Sequence, residues 1–136
     1  MTAVFADTFY FLALLNPRDQ YRDRAVQASI EGDTVVVTTR AVLLEVGDAL
    51  AAPNARTVAR DFLQSLEDAP SVEIVPLDET LHRQALALYR ARPDKAWSLT
   101  DCASFVVMRE RGLVDALTGD RHFEQAGFHA LLREAT

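Results

Sequence analysis

The feature that most constrains the fold is the alternation of short strand-like segments with longer helix-like segments along the chain. The clearest strand signal is the β-branched run at residues 34–38, Thr-Val-Val-Val-Thr, which suits a buried strand. Weaker strand patterns occur at residues 3–6, 72–77, 114–118 and 128–132. This order is typical of an α/β domain with a mainly parallel sheet.

Helical apolar periods fill the intervals, and turn-forming residues mark their ends. The predicted helices cover residues 8–15, 20–31, 39–50, 55–67, 79–91, 98–111 and 120–126. Pro53 and Asn54 are expected to end the third helix, and Gly112 to adopt the left-handed conformation after the sixth. With 136 residues and 49% apolar content, the chain is long enough for one compact core, so we expect a single domain over residues 1–136.

Four acidic residues stand where this topology would bring them to one edge of the sheet. Asp7 directly follows the first strand and Asp120 follows the fourth, so both lie at the carboxyl edge. Glu45 is in the second turn of the helix that leaves the second strand, and Asp101 is in the first turn of the helix that precedes the fourth. Open α/β sheets bind ligands at this edge. Carboxylates beside apolar neighbours need a partner, and oxygen ligands suit Mg²⁺ or Mn²⁺, so we predict a metal site there.

Each of these acids also has a purely structural explanation. Asp7 and Asp101 could cap helices, Glu45 could be solvated or salt-bridged, and Asp120 could belong to a turn. Taken singly, each structural explanation is the stronger one. The convergence of all four acids on one edge of the sheet reverses that order and favours the metal site.

Other residues are assigned structural roles. His122 lies two positions after Asp120 and could touch a substrate, but a position at the surface or as a helix cap is the more common one; Cys102 is expected in the core. The aromatic residues Phe9, Tyr10 and Phe11 are expected in the core rather than on a base-stacking surface. The sequence has no Gly-rich phosphate loop and no nucleophile elbow, so we predict no organic cofactor.

Four segments together resemble the PIN-domain nucleases, and among them the VapC-type toxins of bacterial toxin–antitoxin pairs. The segments are Phe5-Ala-Asp7-Thr8, Thr38-Thr-Arg-Ala-Val-Leu-Leu-Glu45-Val, Trp97-Ser-Leu-Thr-Asp101-Cys-Ala-Ser-Phe and Ala116-Leu-Thr-Gly-Asp120-Arg-His-Phe123. The resemblance covers essentially the whole chain. It implies a three-layer α/β/α sandwich with parallel strands, in which Asp7, Glu45 and Asp101 match the family's acidic set and Asp120 its more variable fourth acid.

The resemblance also implies an activity and partners. The activity would be hydrolysis of RNA phosphodiester bonds with Mg²⁺ or Mn²⁺, and the partners an antitoxin that blocks the site and a second copy in a homodimer. Thr8 matches a hydroxyl residue that supports the site, and we expect Thr100 to support it as well. Gly119 stands where relatives often carry a larger or polar residue, which bears on the binding of a second metal ion.

The net charge and the absence of targeting signals indicate how the protein could bind nucleic acid and where it is located. The net charge of −6 argues against nucleic-acid binding by bulk positive charge, although bound cations would offset the four clustered acids. A single cysteine, no signal-peptide pattern and no apolar stretch near the roughly 20 residues of a membrane span predict a soluble cytoplasmic protein without a membrane segment.

Two other functions remain open. A phosphoacceptor signalling receiver also places acids at this edge, but it would need paired acids after the first strand and a lysine after the last. Here Asp7 stands alone and the sole lysine, Lys95, lies in a predicted loop. The second alternative is a catalytically inactive PIN-like binding module, in which the acids are only caps.

Overall fold

The computed structural model describes residues 2–29 and 33–133, which form five strands and seven helices. The strands are β1 (Thr2–Ala6), β2 (Thr34–Thr39), β3 (Val72–Val75), β4 (Asp115–Leu117) and β5 (His129–Ala130). The helices are α1 (Thr8–Leu15), α2 (Arg22–Ser29), α3 (Arg40–Ala49), α4 (Pro53–Asp68), α5 (Glu79–Ala91), α6 (Leu99–Glu110) and α7 (Arg121–Gln125).

The five strands form one parallel sheet in the order β3-β2-β1-β4-β5. The chain builds outward from β1 to β3, then returns to the other side of β1 to add β4 and β5. The direction of strand addition therefore reverses between β1 and β4, where Phe5 pairs with Ala116. Such a switch point opens a crevice at the carboxyl edge of the sheet.

Right-handed crossovers then fix the layers. The connections through α1–α4 step one way across the sheet and those through α5–α7 step the other way, so the two groups cover opposite faces. Aromatic contacts occur within each layer: Phe11 packs on Phe62 at 5.7 Å between ring centroids, and Phe105 packs on Phe123 at 4.9 Å. The predicted three-layer α/β/α sandwich is confirmed.

The core runs along both faces of the sheet and comes close to its carboxyl edge. The largest side chains that are fully buried are Phe5, Phe11, Phe105, Phe123, Met108 and Leu132. Cys102 is also fully buried, as predicted, and burial raises the pKa of its thiol to about 11. The ends of β1 and β4 are therefore surrounded by buried apolar side chains, which hold the residues that follow these strands in place.

The predicted elements are confirmed in type and order, with differences at their ends. Pro53 begins α4 instead of ending α3, because proline fits the first turn of a helix, where no backbone N–H bond is lost. β3 ends at Val75 rather than residue 77, and β5 has only two residues. Gly112 has φ of 65°, as expected for the left-handed conformation. The predicted end of the second helix, at residue 31, lies outside the described residues.

None of the helices within residues 2–29 and 33–133 combines the length and the hydrophobicity that crossing a bilayer requires.

Candidate metal and active site

Asp7 is the most buried acid of the candidate site. It directly follows β1 in the N-cap position of α1, and it is 4% exposed. Its side chain does not cap the helix; its Oδ2 instead accepts a hydrogen bond from Thr118 Oγ1 at 2.9 Å. Burial, followed by the nearby charge of Asp101, raises the Asp7 pKa to about 7. A carboxylate in this position needs positive charge beside it to stay ionised.

Asp101 combines a structural and a site role. It forms a capping box with Ser98: the Asp101 N–H donates to Ser98 Oγ at 2.9 Å, and the Ser98 N–H donates to Asp101 Oδ2 at 3.1 Å. Asp101 is 8% exposed, and Trp97 and Phe105, four positions before and after it, are buried, so Asp101 faces inward as predicted. Burial raises the Asp101 pKa, and the nearby charge of Asp120 acts in the same direction.

Asp120 joins the same edge from β4. It is the N-cap of α7, and its Oδ1 accepts the His122 N–H at 2.9 Å. The Asp120 N–H donates to Thr118 Oγ1 at 3.0 Å, the same hydroxyl that donates to Asp7. The fully buried Thr118 therefore links the segment after β4 to the acid after β1. The sequence alone indicates no role for Thr118, because a threonine at the end of a strand is common and its contacts depend on the fold.

Glu45 lies beside this group and is connected to it through Thr8. It is half-buried on α3, and its Oε1 accepts a hydrogen bond from Thr8 Oγ1 at 2.5 Å. Since Thr8 directly follows Asp7, the contact holds Glu45 near the acid after β1. Neither Glu45 nor Asp7 belongs to the group of side chains whose ligand atoms all lie within 4.8 Å of one another.

The two predicted supporting residues differ. Thr8 contacts Glu45, as a supporting residue would. In the part of the chain that the structure describes, the Thr100 side chain contacts none of the acids, and the Thr100 carbonyl accepts a hydrogen bond from Ser104 Oγ. The supporting role of Thr100 stays a prediction without a contact behind it.

His122 is closer to the acids than the sequence indicated. Its Nδ1 lies 3.1 Å from Asp101 Oδ2 and 3.4 Å from Asp120 Oδ1, and its side chain is 22% exposed. Ligand atoms of Asp101, Asp120 and His122 all lie within 4.8 Å of one another. The structure therefore turns the His122 ring toward the acids, although the sequence favours a surface or capping position for it. No spacing rule could have found this contact, because it depends on how α7 packs against α6.

Gly119 directly precedes Asp120 and has no room for a side chain. A Cβ added there would lie 2.5 Å from Phe9 Cζ, so the Phe9 ring occupies the space that a larger residue would need. Phe9 itself packs edge-on against Tyr21 at 4.8 Å and belongs to the core, as predicted. The space beside Gly119 is thus filled by a neighbouring ring.

The donor set fits a hard divalent cation. One oxygen of each of the four acids accepts a hydrogen bond from the protein, which fixes the carboxylate orientation. Within residues 2–29 and 33–133, no donor is assigned to the other oxygen of Asp101, Asp120 or Glu45. Oriented oxygens among buried, like-charged acids are the arrangement that a cation stabilises. The cluster can hold a metal ion.

Comparison with known proteins gives consistent matches. Residues 4–129 match the model of the PIN domain family. The chain is 31% identical over 129 residues to the 23S rRNA-specific endonuclease VapC20 from two strains of Mycobacterium tuberculosis. These alignments cover 92% of this chain and 95% of the relative.

Solved structures agree with the sequence matches. The crystal structure of M. tuberculosis VapC20, described as a Sarcin-Ricin loop cleaving toxin, superposes with a TM-score of 0.85 at 27% identity, covering 92% of this chain and 95% of that chain. FitAcB from Neisseria gonorrhoeae superposes with a TM-score of 0.63 at 18% identity, covering 93% and 95%, and is similar in fold.

Proposed function

Because this chain belongs to the PIN-domain family, we propose that it is a metal-dependent endoribonuclease that hydrolyses RNA phosphodiester bonds. The observation that carries the proposal is the meeting of Asp7, Asp101 and Asp120 at the sheet's switch point. The charges of Asp101 and Asp120 both raise the pKa of Asp7. Neighbouring buried acids repel one another and destabilise the protein when no cation is bound. Such a cluster is typical of a site that binds a cation.

The metal is Mg²⁺ or Mn²⁺ in this proposal, since carboxylate oxygens suit both ions. Asp7, Glu45, Asp101 and Asp120 would hold it. When bound, such a cation lowers the pKa of a coordinated water and offsets the charge of the scissile phosphate. The chain's own contribution is orientation: Thr118, Ser98 and Thr8 each fix one carboxylate by donating a hydrogen bond.

The acids differ in their proposed tasks. Asp7 and Asp101 are buried and would hold the cation in a fixed position. Asp120 is half-buried and nearer to solvent, so it would orient the attacking water or help to hold a second ion. Gly119 adds no side-chain ligand beside Asp120, and the Phe9 ring fills the space that such a side chain would need.

The substrate class follows from the relatives. VapC20 is named as 23S rRNA-specific and as a Sarcin-Ricin loop cleaving toxin. We propose a structured loop of ribosomal RNA as the first candidate substrate, and toxin action within a toxin–antitoxin pair. The partners would be an antitoxin that inserts into the site and a second copy in a homodimer. A single domain over residues 1–136 in the cytoplasm completes the proposal.

RNA cleavage in the presence and absence of metal tests this function. The purified protein is incubated with ribosomal RNA and with tRNA in Mg²⁺, Mn²⁺ or EDTA, and the cut sites are mapped. We expect discrete cuts that need the metal, and a loss of more than about 100-fold in Asp7→Asn, since even outer-shell changes cost roughly 10- to 100-fold. Asp115→Asn is the matched control, because Asp115 lies on the same sheet at the other end of β4 and is 53% exposed.

Two results would contradict the proposal. Equal cleavage in EDTA and Mg²⁺ by wild type and Asp7→Asn would mean that the acids do not carry the reaction. No heat of Mn²⁺ binding, together with no cleavage, would favour an inactive PIN-like binding module.

A further inference from the structure

We infer that His122 is a positioning residue of this site, whose imidazole N–H holds the Asp101 carboxylate in the orientation that leaves its other oxygen for the metal. The inference rests on the proposed metal site and adds a residue to it. His122 is in the first turn of α7, whereas Asp101 is in the first turn of α6. The contact therefore joins the N-terminal turns of two different helices.

The direction of the hydrogen bond follows from the chemistry of the two groups. An ionised carboxylate only accepts hydrogen bonds, so the 3.1 Å contact between His122 Nδ1 and Asp101 Oδ2 requires a hydrogen on Nδ1. Asp120 Oδ1, at 3.4 Å from the same nitrogen, is also an acceptor. With Nδ1 protonated, the ring faces both acids as a donor and not as a metal ligand.

The two carboxylate oxygens of Asp101 differ in their hydrogen bonds. Oδ2 accepts both the Ser98 N–H, at 3.1 Å, and the His122 Nδ1–H. Among the described residues, Oδ1 has no assigned donor. Two donors on one oxygen set the rotation of the carboxylate, and the oxygen that remains is the one available to a cation. Hydrogen bonds of this kind orient metal ligands in many proteins.

The backbone of α7 is held in place without the His122 ring. Phe123 packs on Phe105 of α6 at 4.9 Å, and Trp97 Nε1 donates to Gln125 Oε1 at 3.0 Å. Phe123 is fully buried, so these contacts anchor the helix. Removing the imidazole therefore changes the orientation of the acids while leaving the helix in position, which makes a substitution informative.

Manganese binding to the full chain tests the inference, with the free ion measured by EPR. We expect His122→Ala to weaken Mn²⁺ binding by roughly 10- to 100-fold, the usual cost of losing an outer-shell partner. His122→Asn should stay close to wild type, because its amide N–H can replace the Nδ1–H. His129→Ala is the matched control, since His129 makes the same kind of contact with Asp115, at 3.1 Å, away from the site.

A second measurement needs no metal and keeps this inference separate from the proposed function. Two-bond ¹H–¹⁵N spectra of the histidines in EDTA should place a proton on His122 Nδ1, the nitrogen that faces Asp101 Oδ2. An unprotonated Nδ1 would overturn the inference even if the protein cleaves RNA. Wild-type-like Mn²⁺ binding in His122→Ala would also overturn it, as would pulsed-EPR evidence of imidazole nitrogen bonded directly to Mn²⁺. Failure of the wild type to bind Mn²⁺ would instead count against the proposed function.

Discussion

Replacing Asp7 with asparagine should stabilise the metal-free protein, and the gain should grow as the pH rises. Burial, followed by the charge of Asp101, raises the Asp7 pKa from 3.8 to about 7 in the folded protein. A carboxyl group that holds its proton more tightly when folded favours folding at low pH and loses this contribution as pH rises. The cost of Asp7 to folding is therefore absent below about pH 4, increases up to the folded pKa and is constant above it.

The magnitude follows from the size of the shift. One pKa unit corresponds to about 1.4 kcal/mol, so a shift from 3.8 to about 7 makes the ionised carboxyl unfavourable by on the order of 4 kcal/mol. Asparagine has nearly the same shape and no charge, and its Oδ1 can still accept the hydrogen bond from Thr118. Most of this cost should disappear in Asp7→Asn.

Urea unfolding in EDTA measures the effect across pH. Wild type, Asp7→Asn and the exposed control Asp115→Asn are compared between about pH 5 and pH 8.5, the window that contains the Asp7 titration. The free energy of unfolding of Asp7→Asn should exceed that of wild type by an amount that grows up to about pH 7 and is constant above it, whereas Asp115→Asn should follow wild type. Parallel curves for wild type and Asp7→Asn would refute the reasoning, because they would mean that Asp7 titrates alike in the folded and unfolded states.

Two further substitutions test the surroundings of the acids. Gly119→Ala should lower the free energy of unfolding by about 1–3 kcal/mol, because the new Cβ would lie 2.5 Å from Phe9 Cζ; recovery of the loss in Gly119→Ala/Phe9→Leu, measured by thermal unfolding, checks that cause. Thr118→Val should cost about 1–3 kcal/mol and raise the Asp7 pKa further, because it removes the donor to Asp7 and leaves the Asp120 N–H without its acceptor. Thr118→Ser keeps the hydroxyl and should behave like wild type; equal losses in the two Thr118 variants would mean that packing, not the hydroxyl, matters.

The edge of the sheet on which the acids lie could be predicted from the sequence. Strand-like and helix-like segments alternate, parallel strands share one carboxyl edge, and Asp7 and Asp120 follow strands directly. The apolar neighbours of Asp101, Trp97 and Phe105, also indicated that this acid faces inward. These features depend on chain order and periodicity, which a single sequence contains.

The contacts that orient the acids could not be predicted in this way. Thr118 and His122 act through atoms that come together only when β4 and α7 pack beside β1 and α6. The exclusion of a side chain at Gly119 depends on Phe9, which is 110 positions earlier in the chain. Pro53 was assigned to the wrong side of a helix boundary, because proline is compatible both with the end of one helix and with the first turn of the next.

The central claim is that acids from separate elements share one divalent cation. Anomalous scattering from crystals grown with Mn²⁺ tests it most directly, because it locates the metal and its ligands together. We expect a manganese peak bonded to oxygens of at least two of Asp7, Asp101 and Asp120, and its loss in Asp101→Asn. No peak at this edge in crystals saturated with Mn²⁺, or a peak that persists unchanged in Asp101→Asn, would contradict it.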